Sequence, residues 1–220
     1  MIGALVPAKA LDRAKGRLAA VLSEDERRRL ALAMLADVTA AIAAVPEIGP
    51  GVVVSPDAEV LARARSLGAY ALREPESVRG INQALAHALA AWPDMPPDAL
   101  LVVLADVPAV TSADLQSVIE ALPQDGGVVI CPSKARGTSA LALRPPGAIP
   151  FRFGEQSFQW HKREAAARRL DTHVLRIDSL ANDIDEPEDL RELMLHPAKT
   201  ATHRLLSELA LDERLAARPA

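Results

Sequence analysis

Three carboxylates and a short run of cations are the residues whose types and spacing point to chemistry in this chain. Asp106 follows the apolar run Leu100-Leu101-Val102-Val103-Leu104. A carboxylate at the end of a buried strand suits a hard cation such as Mg²⁺, which takes few protein carboxylates and completes its shell with water and phosphate oxygens. The competing role for Asp106 is a helix-side cap. Asp183 and Asp185 lie two apart on an extended segment, so they share one face while Ile184 takes the other. Together with Asp106 they can hold two Mg²⁺ ions; alternatively they form a turn or N-cap ahead of a helix beginning near Pro187. Lys9, Lys15 and Arg17 crowd one polar loop. Lysine serves phosphate as a point charge and arginine as a fork, whereas a plain surface loop would leave all three solvated. Gly16 is the only glycine of that loop, which excludes a Walker loop and a GxGxxG fingerprint.

Two further segments offer donors to an anion. Lys134-Ala135-Arg136-Gly137-Thr138-Ser139 lies between two strand-like runs. Phe153-Gly154-Glu155-Gln156-Ser157-Phe158 enters a helix whose start can bind an anion through backbone and hydroxyl groups at Gly154 and Ser157. His161 falls one turn after Ser157 on the same face, where it reads more readily as structural than as catalytic. The chain has only three Phe, two Trp and one Tyr, yet Phe151, Phe153, Phe158 and Trp160 all fall in this stretch. Such a cluster either walls a dry pocket for a small ligand or forms a satellite hydrophobic cluster under a loop.

The elements that must position these residues follow from periodicity. Ile2 to Val6 reads as a buried strand, Ser23 and Glu26 as the capping box of a helix over residues 24–44, and Val52 to Val54 as a β-branched strand. A helix over residues 58–67, a strand near 69–72, a helix from Gly80 to about Trp92 and the most apolar strand, residues 100–104, continue the alternation. Thr111 or Ser112 caps a helix to about Leu122. Strands follow at residues 127–130, 139–143 and near 172–177, with a short helix after Pro187. This alternation predicts a doubly wound α/β fold with a mostly parallel sheet, in which ligands sit at the carboxyl ends of the strands. Residues 1–195 read as one domain and residues 196–220 as a tail whose Leu205, Leu206 and Leu209 suggest a helix making an intramolecular or homodimer contact. Pro219 and Ala220 are expected to fray.

Composition narrows the partners. A length of 220 residues and 50% hydrophobic content suffice for a large core without disulfides, and the single cysteine, Cys131, fits a reducing compartment. A net charge of −4 gives no general field for nucleic acid or anionic lipid. No apolar run is long enough to span a membrane, and the start lacks the pattern of a signal peptide, so a cytoplasmic protein is expected.

Taken in order, these segments resemble the guanylyltransferases of coenzyme F420 biosynthesis, relatives of the molybdenum-cofactor guanylyltransferases. The resemblance covers about residues 1–192 and is carried by Pro7-Ala8-Lys9, Lys15-Gly16-Arg17-Leu18, residues 30–38, Val54-Ser55-Pro56-Asp57, Gly80-Ile81-Asn82-Gln83-Ala84-Leu85, Ala105-Asp106-Val107-Pro108 and Gly137-Thr138. Its most specific parts are residues 153–161 and Asp183-Ile184-Asp185-Glu186-Pro187-Glu188-Asp189-Leu190.

The resemblance implies a three-layer α/β/α nucleotidyltransferase fold of glycosyltransferase-A type. It also implies transfer of GMP from GTP to 2-phospho-L-lactate, phosphoenolpyruvate or 3-phospho-D-glycerate with release of pyrophosphate. By matched position, Asp106, Asp183 and Asp185 would hold Mg²⁺, and Lys9, Lys15 and Arg17 the GTP phosphates. Thr138, Gly154 and Ser157 would bind the phosphorylated acid, and Asn82 with Ser55 would lie near guanine or ribose. The chain departs from the family at Ser139, where Asn is common after Gly-Thr, and in Pro132-Ser133-Lys134-Ala135-Arg136, where the loop is commonly acidic or glycine-rich. Two alternatives remain at this level: another acceptor, such as the molybdenum cofactor or a sugar phosphate, and a GTP-binding module without turnover.

Overall fold

The computed structural model describes residues 1–93, 95–196 and 198–216. The expectation that Pro219 and Ala220 fray concerns positions outside the described residues. Seven strands form one sheet in the order β3-β2-β1-β4-β6-β5-β7. They are β1 (Ile2–Pro7), β2 (Val52–Ser55), β3 (Tyr70–Arg73), β4 (Ala99–Val103), β5 (Gly127–Pro132), β6 (Thr138–Arg144) and β7 (Asp171–Val174). All pairings are parallel except those of β6, which runs antiparallel to both β4 and β5. The carboxyl ends of β1, β2, β4 and β5 therefore share one edge with the amino end of β6, so Thr138 emerges beside the residues that follow β4. The strand expected to reach residue 177 ends at Val174.

Helices cover both faces because strand side chains alternate. Ala4, Val6, Leu101 and Val103 face a core built with Leu35, Val38 and Ile42 of α1 (Glu24–Ala43), Val60 and Ala64 of α2 (Ala58–Ser66), and Leu115 and Val118 of α4 (Ser112–Glu120). Leu5, Leu100 and Val102 face the opposite layer, supplied by Ala84, Leu85 and Ala88 of α3 (Gly80–Ala90) and by Phe158 and Ala165 of α5 (Ser157–Ala167). This is the expected three-layer architecture. A short α6 (Asp178–Ala181) joins β7 to the segment that carries Asp183 and Asp185.

The tail is helical and packs within the chain. Leu205 and Leu206 of α8 (Ala201–Glu208) and Leu211 and Leu215 of α9 (Leu211–Ala216) join Leu30 and Met34 of α1, Leu190 and Leu193 of α7 (Pro187–Leu195), and Ile184 before it, in a third cluster. The start of α8 is fixed on α1, where Asp37 accepts the backbone N–H groups of Ala201 at 2.6 Å and Thr202 at 2.8 Å. The described part of the tail thus makes an intramolecular contact. Among the described residues no helix is long and apolar enough to cross a membrane.

Candidate active site

The carboxyl edge of the sheet opens into a cleft of about 600 Å³, lined among others by Pro7, Lys9, Lys15, Val54, Pro56, Glu74, Gly80, Ile81, Asp106 and Asp185. Its polar end is assembled by backbone bonds. Past β4 the chain turns at Asp106, whose carbonyl accepts the backbone N–H of Ile184 at 2.9 Å. This bond lays the 183–185 segment against the end of the central strand. Ile184 is buried in the third cluster, so Asp183 and Asp185 turn the other way, as the alternation predicts.

Neither aspartate caps the helix that follows. Glu186 is the N-cap of α7 (Pro187–Leu195), in a capping box with Asp189, and Asp189 Oδ2 accepts the backbone N–H groups of Asp185 at 2.9 Å and Glu186 at 2.7 Å. Asp106 is likewise no cap: α4 is capped by Thr111 and Asp114.

Lys15 organises the carboxylates. Its Nζ lies 2.9 Å from Asp106 Oδ2 and 2.9 Å from Asp185 Oδ1, and its side chain is only 9% exposed. Burial works against the ammonium, but the two carboxylates outweigh it and hold the Lys15 pKa above the ordinary lysine value. Burial likewise works against ionisation of Asp185, yet Lys15, with Lys9 and Arg17 further off, holds its carboxyl below the ordinary value. Asp183 goes the other way: burial, then the neighbouring Asp106, push its pKa up to about 6. Lys15 adopts φ 51°, a left-handed conformation seldom taken by residues other than glycine, at the start of the turn over residues 16–20. The loop before it is anchored across the cleft, where Asp57 Oδ2 accepts the Leu11 N–H at 2.9 Å. Lys9 is exposed at the cleft mouth, and Arg17 pairs with Glu186 at 3.2 Å on the rim.

These groups fit a hard cation. Among the described residues no three His, Cys, Asp or Glu groups already stand gathered at metal-holding distance. The Lys15 ammonium occupies the space between two of them instead. Asp106 Oδ1, however, is buried without a hydrogen-bond partner, and Asp183 resists ionisation beside it. Buried, under-compensated carboxylate oxygens are the donor set that Mg²⁺ selects.

A second polar niche lies next to Asp106 across the β4–β6 pair, where the Leu104 N–H donates to the Ser139 carbonyl at 3.0 Å. Thr138, 2% exposed, sits there with His161, which is fully buried. The Arg152 backbone N–H donates to His161 Nε2 at 3.2 Å, so Nε2 carries no proton. Burial lowers the His161 pKa to about 4 and keeps the ring neutral. Its remaining proton therefore lies on Nδ1, which is 3.0 Å from Thr138 Oγ1 and donates to it. The Thr138 hydroxyl keeps its own proton for another acceptor. Ser157 Oγ is buried with no partner, and a Cβ on Gly137 would come within 3.8 Å of it. Gly154, at φ +126°, lies in a region open to glycine and meets nothing within 4 Å of an added Cβ. The first α5 amides are partly spent, since Ser157 N–H donates to Gly154 and Phe158 N–H to Arg136.

Three groups of expected residues have partners within the fold. Asn82 Nδ2 donates to the Phe153 carbonyl at 3.0 Å and its Oδ1 accepts the Phe153 N–H at 2.7 Å, so both polar atoms hold the backbone beside Gly154. Ser55 is fully buried and its Oγ accepts the Asp57 N–H, so it is Val54 and Pro56 that line the cleft. Of the two readings of the aromatic stretch, the structure favours a hydrophobic cluster, one that is part of the core. Phe153 and Phe158 belong to the core between the sheet, α3 and α5, Phe151 packs against them, and Trp160 carries the Arg152 guanidinium at 4.3 Å. Sequence reading missed Asp57 as the loop anchor and Glu74 in the cleft wall. The signal for both was their place just past a strand's carboxyl end.

Known proteins resemble this chain in sequence and in fold. The model of the family described as "Guanylyl transferase CofC like" matches residues 2–219. A phosphoenolpyruvate guanylyltransferase of Sphaerobacter thermophilus is 42% identical over 88% of this chain and 92% of its own. A 2-phospho-L-lactate guanylyltransferase of Methanothermobacter thermautotrophicus is 36% identical over 94% and 90%. A 3-phospho-D-glycerate guanylyltransferase of Phenylobacterium zucineum is 37% identical over 89% and 91%. Among solved structures, a candidate nucleotide-diphospho-sugar transferase of Desulfovibrio desulfuricans G20 superposes with a TM-score of 0.81 at 18% identity, covering 98% of this chain and 97% of the other, which establishes the shared fold.

Proposed function

Since this chain belongs to the family of CofC-like guanylyl transferases, we propose that it joins GMP from GTP to a phosphorylated three-carbon acid and releases pyrophosphate. The acid belongs to the set named for its relatives: phosphoenolpyruvate, 2-phospho-L-lactate and 3-phospho-D-glycerate. The observation that carries the reading is the Lys15 ammonium held between Asp106 and Asp185, with Asp183 beside them, at the sheet edge where a triphosphate would lie.

A phosphate oxygen of the acid attacks the α-phosphorus of GTP, a new P–O bond forms, and the bond to the β-phosphate oxygen breaks. The attacking phosphate is largely ionised near neutral pH, its second pKa being about 6. No general base is needed, which accords with a buried neutral His161 that faces Thr138 rather than a solvent-facing base. Asp106, Asp183 and Asp185 are the residues for Mg²⁺, which neutralises charge on the reacting phosphates when bound. Lys15, between Asp106 and Asp185, would be the nearest cation to the phosphates, with Lys9 and Arg17 at the mouth. The hydroxyl of Thr138, the free Ser157 Oγ and the open backbone at Gly154 receive the acid. The single buried cysteine and the absence of a membrane-spanning helix among the described residues support work in the cytoplasm.

The experiment incubates the purified protein with GTP, Mg²⁺ and each acid separately and follows pyrophosphate. Release with at least one acid is expected; silence with all of them sinks the proposal. The molybdenum cofactor and sugar phosphates serve as the contrasting acceptors.

A further inference from the structure

The cleft has a second end that the reaction chemistry leaves unexplained. Away from Asp106 and Asp185 it is walled by Val54, Pro56 and Val60 and by Glu74, Gly80 and Ile81. Glu74 follows β3, and its backbone N–H donates to the Ser55 carbonyl at 3.0 Å, which continues the β2–β3 pairing to the edge. In the sheet order, β3 lies three strands from β4. At about 4.8 Å per strand, Glu74 stands roughly 14 Å from Asp106 along the edge. That is a separation suited to an extended purine nucleotide whose phosphates are at the carboxylate end.

Glu74 is a half-buried carboxylate in a mostly apolar wall. Burial pushes its carboxyl above the ordinary value, offset only in part by the more distant charges of His87 and Arg79. Among the described residues no side chain donates a hydrogen bond to it. Beside it, Gly80 at φ +76° leaves open space before the first turn of α3; Gln83 Oε1 accepts the Arg79 N–H at 2.7 Å, and the Arg79 side chain caps none of the N–H groups that follow. A carboxylate acceptor next to uncapped backbone donors matches one base edge. Guanine presents the N1–H and the 2-amino group as adjacent donors and O6 as an acceptor, whereas adenine and cytosine present an amino donor beside ring-nitrogen acceptors and would leave Glu74 facing a lone pair.

Resting on the guanylyl-transfer reading, we infer that Glu74 is the specificity-determining residue for the base, accepting the N1–H and 2-amino group of guanine in the apolar end of the cleft. Its contribution is to nucleotide selection, remote from the reacting phosphorus. A half-buried carboxylate that loses one of two donors discriminates between bases, because the unmade bond leaves charge unsatisfied.

The test compares GTP with ITP, which lacks only the 2-amino group, and with ATP. Pyrophosphate release gives kcat/KM for the protein as it stands and for Glu74→Ala and Glu74→Gln, and the rise in Tm with each nucleotide and Mg²⁺ gives a readout independent of turnover. The unaltered protein is expected to favour GTP over ITP by about 10- to 100-fold. Both variants are expected to bring that ratio to within about threefold of unity, through KM rather than kcat, while their Tm without nucleotide stays put. A GTP-to-ITP ratio that survives in both variants, or that is absent from the start, overturns the role of Glu74 and leaves guanylyl transfer intact. No turnover with GTP and any acid, but a Tm rise that distinguishes GTP from ITP only when Glu74 is present, overturns the reaction and upholds the base contact.

Discussion

Ile184 N–H and the Asp106 carbonyl meet at 2.9 Å, and through that one backbone bond two segments nearly eighty residues apart become a single acidic edge. Lys15 then spans the edge from Asp106 to Asp185. An ammonium so placed substitutes for part of the positive charge that three carboxylates require. Lys15→Met is therefore expected to destabilise the protein by about 1–2 kcal/mol without divalent cation, a figure discounted for the half-exposed Asp185. Mg²⁺ should raise the Tm of this variant more than that of the unaltered protein. Equal responses to Mg²⁺ in thermal melts would count against a shared charge site.

Asp183 separates function from folding more sharply. Its carboxyl, pushed up to about 6, opposes its neighbours rather than supporting them. Asp183→Asn should leave the Tm in chelator unchanged or higher and reduce turnover at least about 100-fold, as expected for a lost metal ligand. A fall in Tm that matches the fall in rate points to a structural carboxylate instead.

Much of this edge could be read before any coordinates, and the reasons are local. Asp183-Ile184-Asp185 alternates, so one side chain had to be buried and the other two had to share a face. Lys15 was legible as a cation for phosphate but not as a bridge, because its partners lie 91 and 170 residues away. Asn82 shows the limit more clearly. The family resemblance puts Asn82 near guanine or ribose, yet its side chain pairs with Phe153, 71 residues on, as a strand neighbour would. The aromatic segment leaves a pocket wall and a hydrophobic cluster both open, because rings clustered in the sequence suit either. Clustering there reflects a helix entering the core, where Phe153 and Phe158 pack between the sheet and α3.

The Asn82 bracket makes its own prediction. Asn82→Ala removes two hydrogen bonds from a part-buried backbone and should cost about 2–3 kcal/mol in urea melts. Because that backbone carries Gly154, KM for the acid should rise while KM for GTP stays within a factor of about two. A selective rise in KM for GTP returns Asn82 to the nucleotide.

His161 gives the fold a pH dependence. Unfolded, its pKa returns to 6.5; folded, burial holds it at about 4. The unfolded chain binds the extra proton first, so the stability is full above pH 6.5 and is lost as pH falls from there toward 4, by about 3 kcal/mol in all. Asn in its place can still donate to Thr138 but does not titrate. Denaturant melts between pH 7 and 4 should show this variant losing correspondingly less stability than the unaltered protein, and identical slopes would assign the pH dependence to other groups.

Ser157 offers the cleanest separation of substrate binding from structure. The residue is 1% exposed and its hydroxyl has no partner, an arrangement that costs free energy for as long as the pocket is empty. A serine kept only for packing would do better as alanine, which fills nearly the same volume without an unsatisfied donor. Ser157→Ala is accordingly expected to hold or raise the Tm by a small margin, and to raise KM for the phosphorylated acid about 10- to 50-fold, the worth of a hydrogen bond to a charged oxygen. The GTP-dependent Tm shift should not change. The opposite pattern, a lower Tm with an unaltered KM, would mean that the hydroxyl is satisfied within the fold and that the acid is held by Thr138 and the Gly154 backbone without it.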